Sequence, residues 1–109
     1  MQQRRLGTAG PAVSAVGLGA MSFAGVYGGA EDKESASTLA RARELGVTFI
    51  DTANIYGAGR SEEVVGSAIA GYRSEVVLAT KFGGGGGEGL GKRDMVRPAL
   101  EASLARLGT

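Results

Sequence analysis

Short runs of apolar and β-branched residues alternate along the chain with amphipathic ones. "AVSAVGLGAM" (12–21), "VTFID" (47–51) and "EVVLATK" (75–81) read as strands. They recur at roughly the thirty-residue interval that a strand, a helix and two loops require. After the first strand, Ala36, Leu39, Ala40, Ala42 and Leu45 form an apolar stripe stopped by Gly46. After the second, Ser61 is placed to cap a helix whose positive end Glu62 and Glu63 favour, with Val65, Ala68 and Ile69 inward and Gly71 closing it. A third helix is predicted from about Asp94 to Leu107, with Val96, Leu100, Leu104 and Leu107 on one side and Gly108 after it. Pro98 falls near its first turn, where proline is tolerated best. Upstream, Gly10 and Pro11 separate two strand-like runs in "RRLGTAGPAVSAVGLG", as in a hairpin.

Strand and helix alternating three times imply right-handed parallel crossovers, hence an α/β sheet. In such sheets function gathers at the C-terminal ends of the strands, where loops vary on a fixed frame. Asp51 ends the second strand, Tyr56 lies in the loop after it, and Lys81 ends the third strand, so all three are expected on one rim. Together they have a chemical logic. A phenol is a poor proton donor at neutral pH, but a lysine ammonium held close stabilises the phenolate and brings its pKa down. Asp51 would keep Lys81 charged and aimed, which makes Tyr56 a general acid suited to carbonyl reduction. Taken singly, each has a plainer role: a loop cap for Asp51, rim packing for Tyr56, a solvated charge for Lys81. Only their joint placement points to chemistry.

Composition narrows the remaining possibilities. The 109 residues are 43% hydrophobic without an apolar run near membrane-spanning length, which fits one globular unit or a piece of one. Twelve basic residues against eleven acidic ones, scattered along the chain, give no electrostatic footprint for nucleic acid. Neither nucleic acid nor a membrane is expected as a partner. Arg4 and Arg5 are followed by glycine and proline rather than an apolar core, so a cytoplasmic location is expected. With no cysteine and no histidine, disulfides and thiolate chemistry are excluded, and a zinc site would need carboxylates alone. Glycine is the outlier, at 20 residues. "GLGAMS" meets two positions of a dinucleotide fingerprint, but Ser22 occupies the third. The run 83–87, "GGGGG", lacks the Lys-Ser/Thr that completes a phosphate loop and reads as a flexible loop beside the rim.

"DTANIYGAGRSEEVVGSAI", "VVLATKFG", the opening "RRLGTAGPAVSAVGLGAMSFAG" and the closing "ALEASLARLGT" resemble, in order and spacing, the N-terminal portion of an aldo-keto reductase. The resemblance spans essentially the whole chain and is strongest to bacterial branches with "SEE" after the tyrosine loop. It implies an N-terminal hairpin and the first three βα units of a (β/α)8 barrel, residues 1–109 being the N-terminal part of one domain. It also implies NADPH-dependent reduction of a small aldehyde or ketone. Asp51, Tyr56 and Lys81 match three of the family's four catalytic residues, with Tyr56 as proton donor. Gly19, Ala20 and Met21, with Asp51, match positions near the nicotinamide. The family's fourth catalytic residue is a histidine on the next strand, and the chain reaches "RLGT" where that strand is expected to begin. A complete barrel takes about 250 residues, and most of the family's cofactor loops come later. The favoured expectation is therefore a reductase activity belonging to a longer parent chain. The alternative is a non-catalytic remnant, or an interaction module that needs a partner polypeptide to complete the barrel. Substrate identity and oligomeric state are not indicated.

Overall fold

A computed structural model describes residues 1–29, 31–84 and 91–109. The chain opens in an antiparallel hairpin, β1 (Gln3–Arg5) against β2 (Ala12–Ser14), with Arg4 opposite Val13. Its turn is closed by Leu6 N–H to the Pro11 carbonyl and Gly10 N–H to the Leu6 carbonyl, both 3.0 Å, as the Gly-Pro pair leads one to expect. The run 12–21, expected as one strand, is divided. Ser14 and Thr48 exchange backbone-to-hydroxyl bonds of 2.8 and 2.9 Å, and the Ser14 hydroxyl donates to the Val16 carbonyl. The chain bends there and restarts as β3 (Leu18–Gly19) in a different sheet. These tertiary bonds pin the hairpin at the N-terminal end of the strand that begins at Phe49.

That second sheet is parallel, in the order β3, β4 (Phe49–Asp51), β5 (Val77–Ala79). Leu18 pairs with Ile50 and Ile50 with Leu78, so the period-two alternation puts these three on one face. That face meets the helices: Ile50 lies in the core with Leu39, Val65, Ile69 and Leu107, and Leu18 and Leu78 pack against them. Strand, helix, strand, helix, strand and helix follow one another as the periodicity predicts. No described strand pairs outside β3 or β5, and the sheet does not close among the described residues.

The helices are α1 (Asp32–Glu44), α2 (Arg60–Ile69) and α3 (Arg93–Leu107), with α2 packed between the other two. Their predicted faces need correcting. Of the α1 stripe only Leu39 is buried; Ala36 and Ala40 are exposed and Leu45 is 52% exposed, because α1 packs against α2 along one side only. In α3 Leu107 is buried, but Val96, Leu100 and Leu104 stay exposed, Leu100 at 48%. Pro98 stands at the sixth helical residue, past the first turn. Gly71 directly follows the Ala70 cap of α2, and a separate 3-10 segment (Ala70–Glu75) carries the chain on and buries Tyr72. Val65 and Ile69 do face inward, with Ala68 partly buried. No helix among the described residues is long and apolar enough to cross a membrane.

Helices α2 and α3 cross at Gly66, where an added Cβ would come 2.7 Å from the Leu107 carbonyl oxygen and 2.8 Å from its Cα. Backbone cannot give way as a side-chain tip can. Gly66→Ala gains helix propensity, yet the overpacking is expected to dominate and destabilise by about 1–3 kcal/mol. Urea denaturation checks this; an unchanged or higher midpoint contradicts the tight crossing.

Candidate active site

Asp51 is the last residue of β4 and pairs with Ala79 of β5. Lys81 lies two residues beyond Ala79, so Asp51 and Lys81 share the sheet face opposite the helices. The chain past β5 is held in strand-like register, with Thr52 N–H to the Ala79 carbonyl at 2.9 Å and Asn54 N–H to the Lys81 carbonyl at 3.0 Å. From there the Lys81 ammonium donates to Asp51 Oδ1 at 2.5 Å and to the Thr52 carbonyl at 2.8 Å. The same nitrogen is 5.0 Å from the centre of the Tyr56 ring, within cation–π range. The three residues expected on one rim are thus gathered around one charge. Burial works against the Lys81 cation, but the Asp51 carboxylate, with the Tyr56 hydroxyl second, outweighs it and raises the lysine pKa above its ordinary value.

Tyr56 reaches this position through a tight loop. Its N–H bonds to the Ala53 carbonyl at 3.2 Å. Gly57, Ala58 and Gly59 then take positive φ angles of 59°, 52° and 97°, turning the chain from the rim into α2. Three successive left-handed residues are costly for anything but glycine, and Ala58 bears about 1–2 kcal/mol of that strain. Tyr56 is left half-buried at the strand ends.

Ser61 does not cap α2 as expected, and Glu62, though it lies in the first turn, is not a surface charge. Gly59 occupies the N-cap of α2, without a side-chain cap bond. Ser61 is instead buried, its hydroxyl donating to the Ala20 carbonyl at 2.7 Å and sharing a 2.8 Å bond with the Thr52 hydroxyl. Glu62 is 0% exposed. Its Oε1 accepts from the Thr80 hydroxyl and its Oε2 from Arg106 Nε, each at 2.6 Å. The sequence carried a signal for this: Glu62 lies three and seven residues before Val65 and Ile69, on the inward face of the helix.

Gly19 pairs with Asp51 on the rim, and an added Cβ there would meet no atom within 4 Å. Ala20 is fully buried, its N–H bonded to the Asp51 carbonyl at 2.8 Å and its carbonyl taken by Ser61, so it supports the loop from beneath. Met21 begins a 3-10 turn (Met21–Ala24) and is partly exposed. Of the glycine run 83–87, residues 85–87 lie outside the described residues.

The chain has counterparts among known proteins. The pattern of the Aldo/keto reductase family matches residues 15–109. An uncharacterized oxidoreductase of Bacillus subtilis, YqkF, is 41% identical over 115 residues, covering 100% of this chain and 36% of its own length. The aldo-keto reductase AKR11C1 from Bacillus halodurans, in its holo form, superposes with a TM-score of 0.86 at 33% identity, over 100% of this chain and 37% of that one. An aldo-keto reductase from Klebsiella pneumoniae, in complex with NADPH, gives 0.78 at 34% identity, again over 100% and 37%. The chain therefore spans little more than a third of the length of these relatives. By the family pattern, and by sequence and fold together, the chain belongs to the aldo/keto reductase family.

Proposed function

We propose that the chain carries the proton-donating half of an NADPH-dependent carbonyl reductase, with β3, β4 and β5 as the first three strands of a (β/α)8 barrel entered through the β1–β2 hairpin. The observation that carries this is the Lys81 ammonium, held 2.5 Å from Asp51 and 5.0 Å from the Tyr56 ring centre on one strand-end rim. Membership of an oxidoreductase family and the NADPH complex of the Klebsiella relative supply the reaction class and the cofactor. Bound at this rim, NADPH would supply the hydride that a carbonyl carbon accepts. Tyr56 gives its hydroxyl proton to the carbonyl oxygen as negative charge develops there, and Lys81 stabilises the phenolate left behind. Asp51 holds Lys81 in place. The open space over Gly19 leaves room for a flat ring against the rim, with Met21 beside it and Ala20 below. The test is to incubate the full-length protein with NADPH and a panel of simple aldehydes and ketones, following cofactor oxidation and alcohol formation. Equimolar loss of NADPH and gain of alcohol is expected; no turnover with any carbonyl contradicts the reading.

The second reading, a module that needs a complementary polypeptide, is favoured by one feature: Met95, Val96, Leu100 and Leu104 leave an apolar strip of α3 exposed, and among the described residues β5 pairs on one side only. Both readings give the same expectation for the 109-residue polypeptide produced alone. It should self-associate, because the strip and the strand edge have nothing to cover them. It should also bind NADPH weakly, since few cofactor contacts lie on it. Light scattering and an NADPH titration check this, and a monomer with micromolar affinity overturns it.

A further inference from the structure

The first turn of α2 holds all three strand ends by side chains alone. Ser61 binds the Ala20 carbonyl after β3 and the Thr52 hydroxyl after β4, and Glu62 binds the Thr80 hydroxyl after β5. Glu62 is itself fixed. It is fully buried, and its second oxygen takes Arg106 from α3, whose guanidinium also reaches the Ser103 hydroxyl at 3.3 Å. Arg106 is trapped in turn against the α2 N-cap, where a Cβ on Gly59 would come 2.6 Å from its Cδ.

We propose that the Thr80–Glu62–Arg106 chain is a positioning device for Lys81, an inference that rests on reading Lys81 as the partner of Tyr56. Thr80 and Lys81 are consecutive, so their side chains leave the strand end on opposite faces. Anchoring the Thr80 hydroxyl to an immobile carboxylate on the helix side fixes the rotation of that strand end about its own axis. This sets where the Lys81 stem starts on the other side. The tip of Lys81 is held by Asp51 and Thr52, but a four-carbon stem holds a tip within a fraction of an ångström only if its base is also fixed. A buried ion pair contributes little net stability over well-packed apolar residues; apolar replacements would fill the space without orienting Thr80. Glu62 and Thr80 are therefore positioning residues, acting through Lys81.

The full-length protein tests this with Thr80→Val, which removes the hydroxyl at nearly constant shape, and Thr80→Ser, which keeps it. Small misplacements of a catalytic group cost up to about 100-fold. Thr80→Val is expected to lower kcat by about 10-fold to 100-fold, to alter the alkaline side of the pH profile of kcat, where Lys81 loses its charge, and to leave NADPH affinity unchanged. Thr80→Ser should restore both rate and profile. Thermal midpoints measured in parallel identify a merely structural loss, which alters stability without moving the profile. If Thr80→Val does not fold, Glu62→Gln is read in the same way. Wild-type kcat and pH profile in Thr80→Val, with Tyr56→Phe inactive, overturn the positioning role alone. Absence of reduction by the wild type, or full activity of Tyr56→Phe, overturns the underlying reading of the site and this inference with it.

Discussion

Replacing Tyr56 by phenylalanine is expected to lower carbonyl reduction by the full-length protein by a factor on the order of 10² to 10⁴, while NADPH affinity stays close to wild type. The substitution removes one hydroxyl and keeps the ring, so the packing of a half-buried side chain at the rim is preserved. What is lost is the proton that the carbonyl oxygen must acquire as hydride arrives. The other two tyrosines are controls. Tyr27 is 77% exposed, and the buried Tyr72 ring lies under the Arg43 guanidinium, 4.3 Å from it, away from the rim. Neither Tyr27→Phe nor Tyr72→Phe should alter turnover. Steady-state reduction together with NADPH titration decides the matter: a Tyr56→Phe enzyme as fast as wild type removes the assigned role.

The second large effect is expected at Lys81. Lys81→Met keeps an unbranched stem one atom shorter and deletes the charge, so Tyr56 loses the cation that favours its phenolate. A fall in kcat on the order of 10²-fold is expected at neutral pH, by analogy with removing one preorganised electrostatic partner. The direction in pH follows from the raised pKa of Lys81. A base whose folded pKa is raised keeps its charge, and the stability that charge brings, below its ordinary pKa, and loses them only as pH rises through the raised value. Lys81 is thus charged throughout the neutral range and does not itself produce a limb there. The help that Lys81 gives is lost only as pH rises through its raised pKa, so that alkaline fall in rate should be missing from Lys81→Met. Stability should change little, because the lysine and Asp51 side chains are 48% and 40% exposed and solvent screens their attraction. A pH profile identical to wild type would show Lys81 to be only a strand-end charge.

The gathering of Asp51 and Lys81 was legible in the sequence because it depends on two local regularities. Parallel strands place their ends on one rim, and period-two alternation decides which side chains share a face. The hairpin about Gly10 and Pro11 was legible for a similar reason, since its turn bonds close within a few residues. What could not be read was anything set by long-range partners. The bend that divides the run 12–21 comes from Thr48, 34 residues from Ser14. The spacing to Val65 and Ile69 places Glu62 on the inward face of α2, but the partner that lets a carboxylate be buried there, Arg106, lies 44 residues away. Without that partner a glutamate in a first turn reads as a dipole-favouring surface charge. The exposed strips of α1 and α3 make a complementary point. Periodicity shows that Leu45 and Leu100 lie on an apolar side of a helix, but not whether anything covers that side.

The central claim is that Lys81 acts through Tyr56, and a double-mutant cycle on the full-length protein tests it most directly. Single-turnover NADPH oxidation at saturating cofactor would be measured for wild type, Tyr56→Phe, Lys81→Met and the double variant. Residues that work as a unit are strongly non-additive. The account predicts that Lys81→Met, costly in the wild-type background, costs almost nothing more once the Tyr56 hydroxyl is gone. Two losses that simply multiply in the double variant would contradict it, showing that the lysine and the tyrosine act independently.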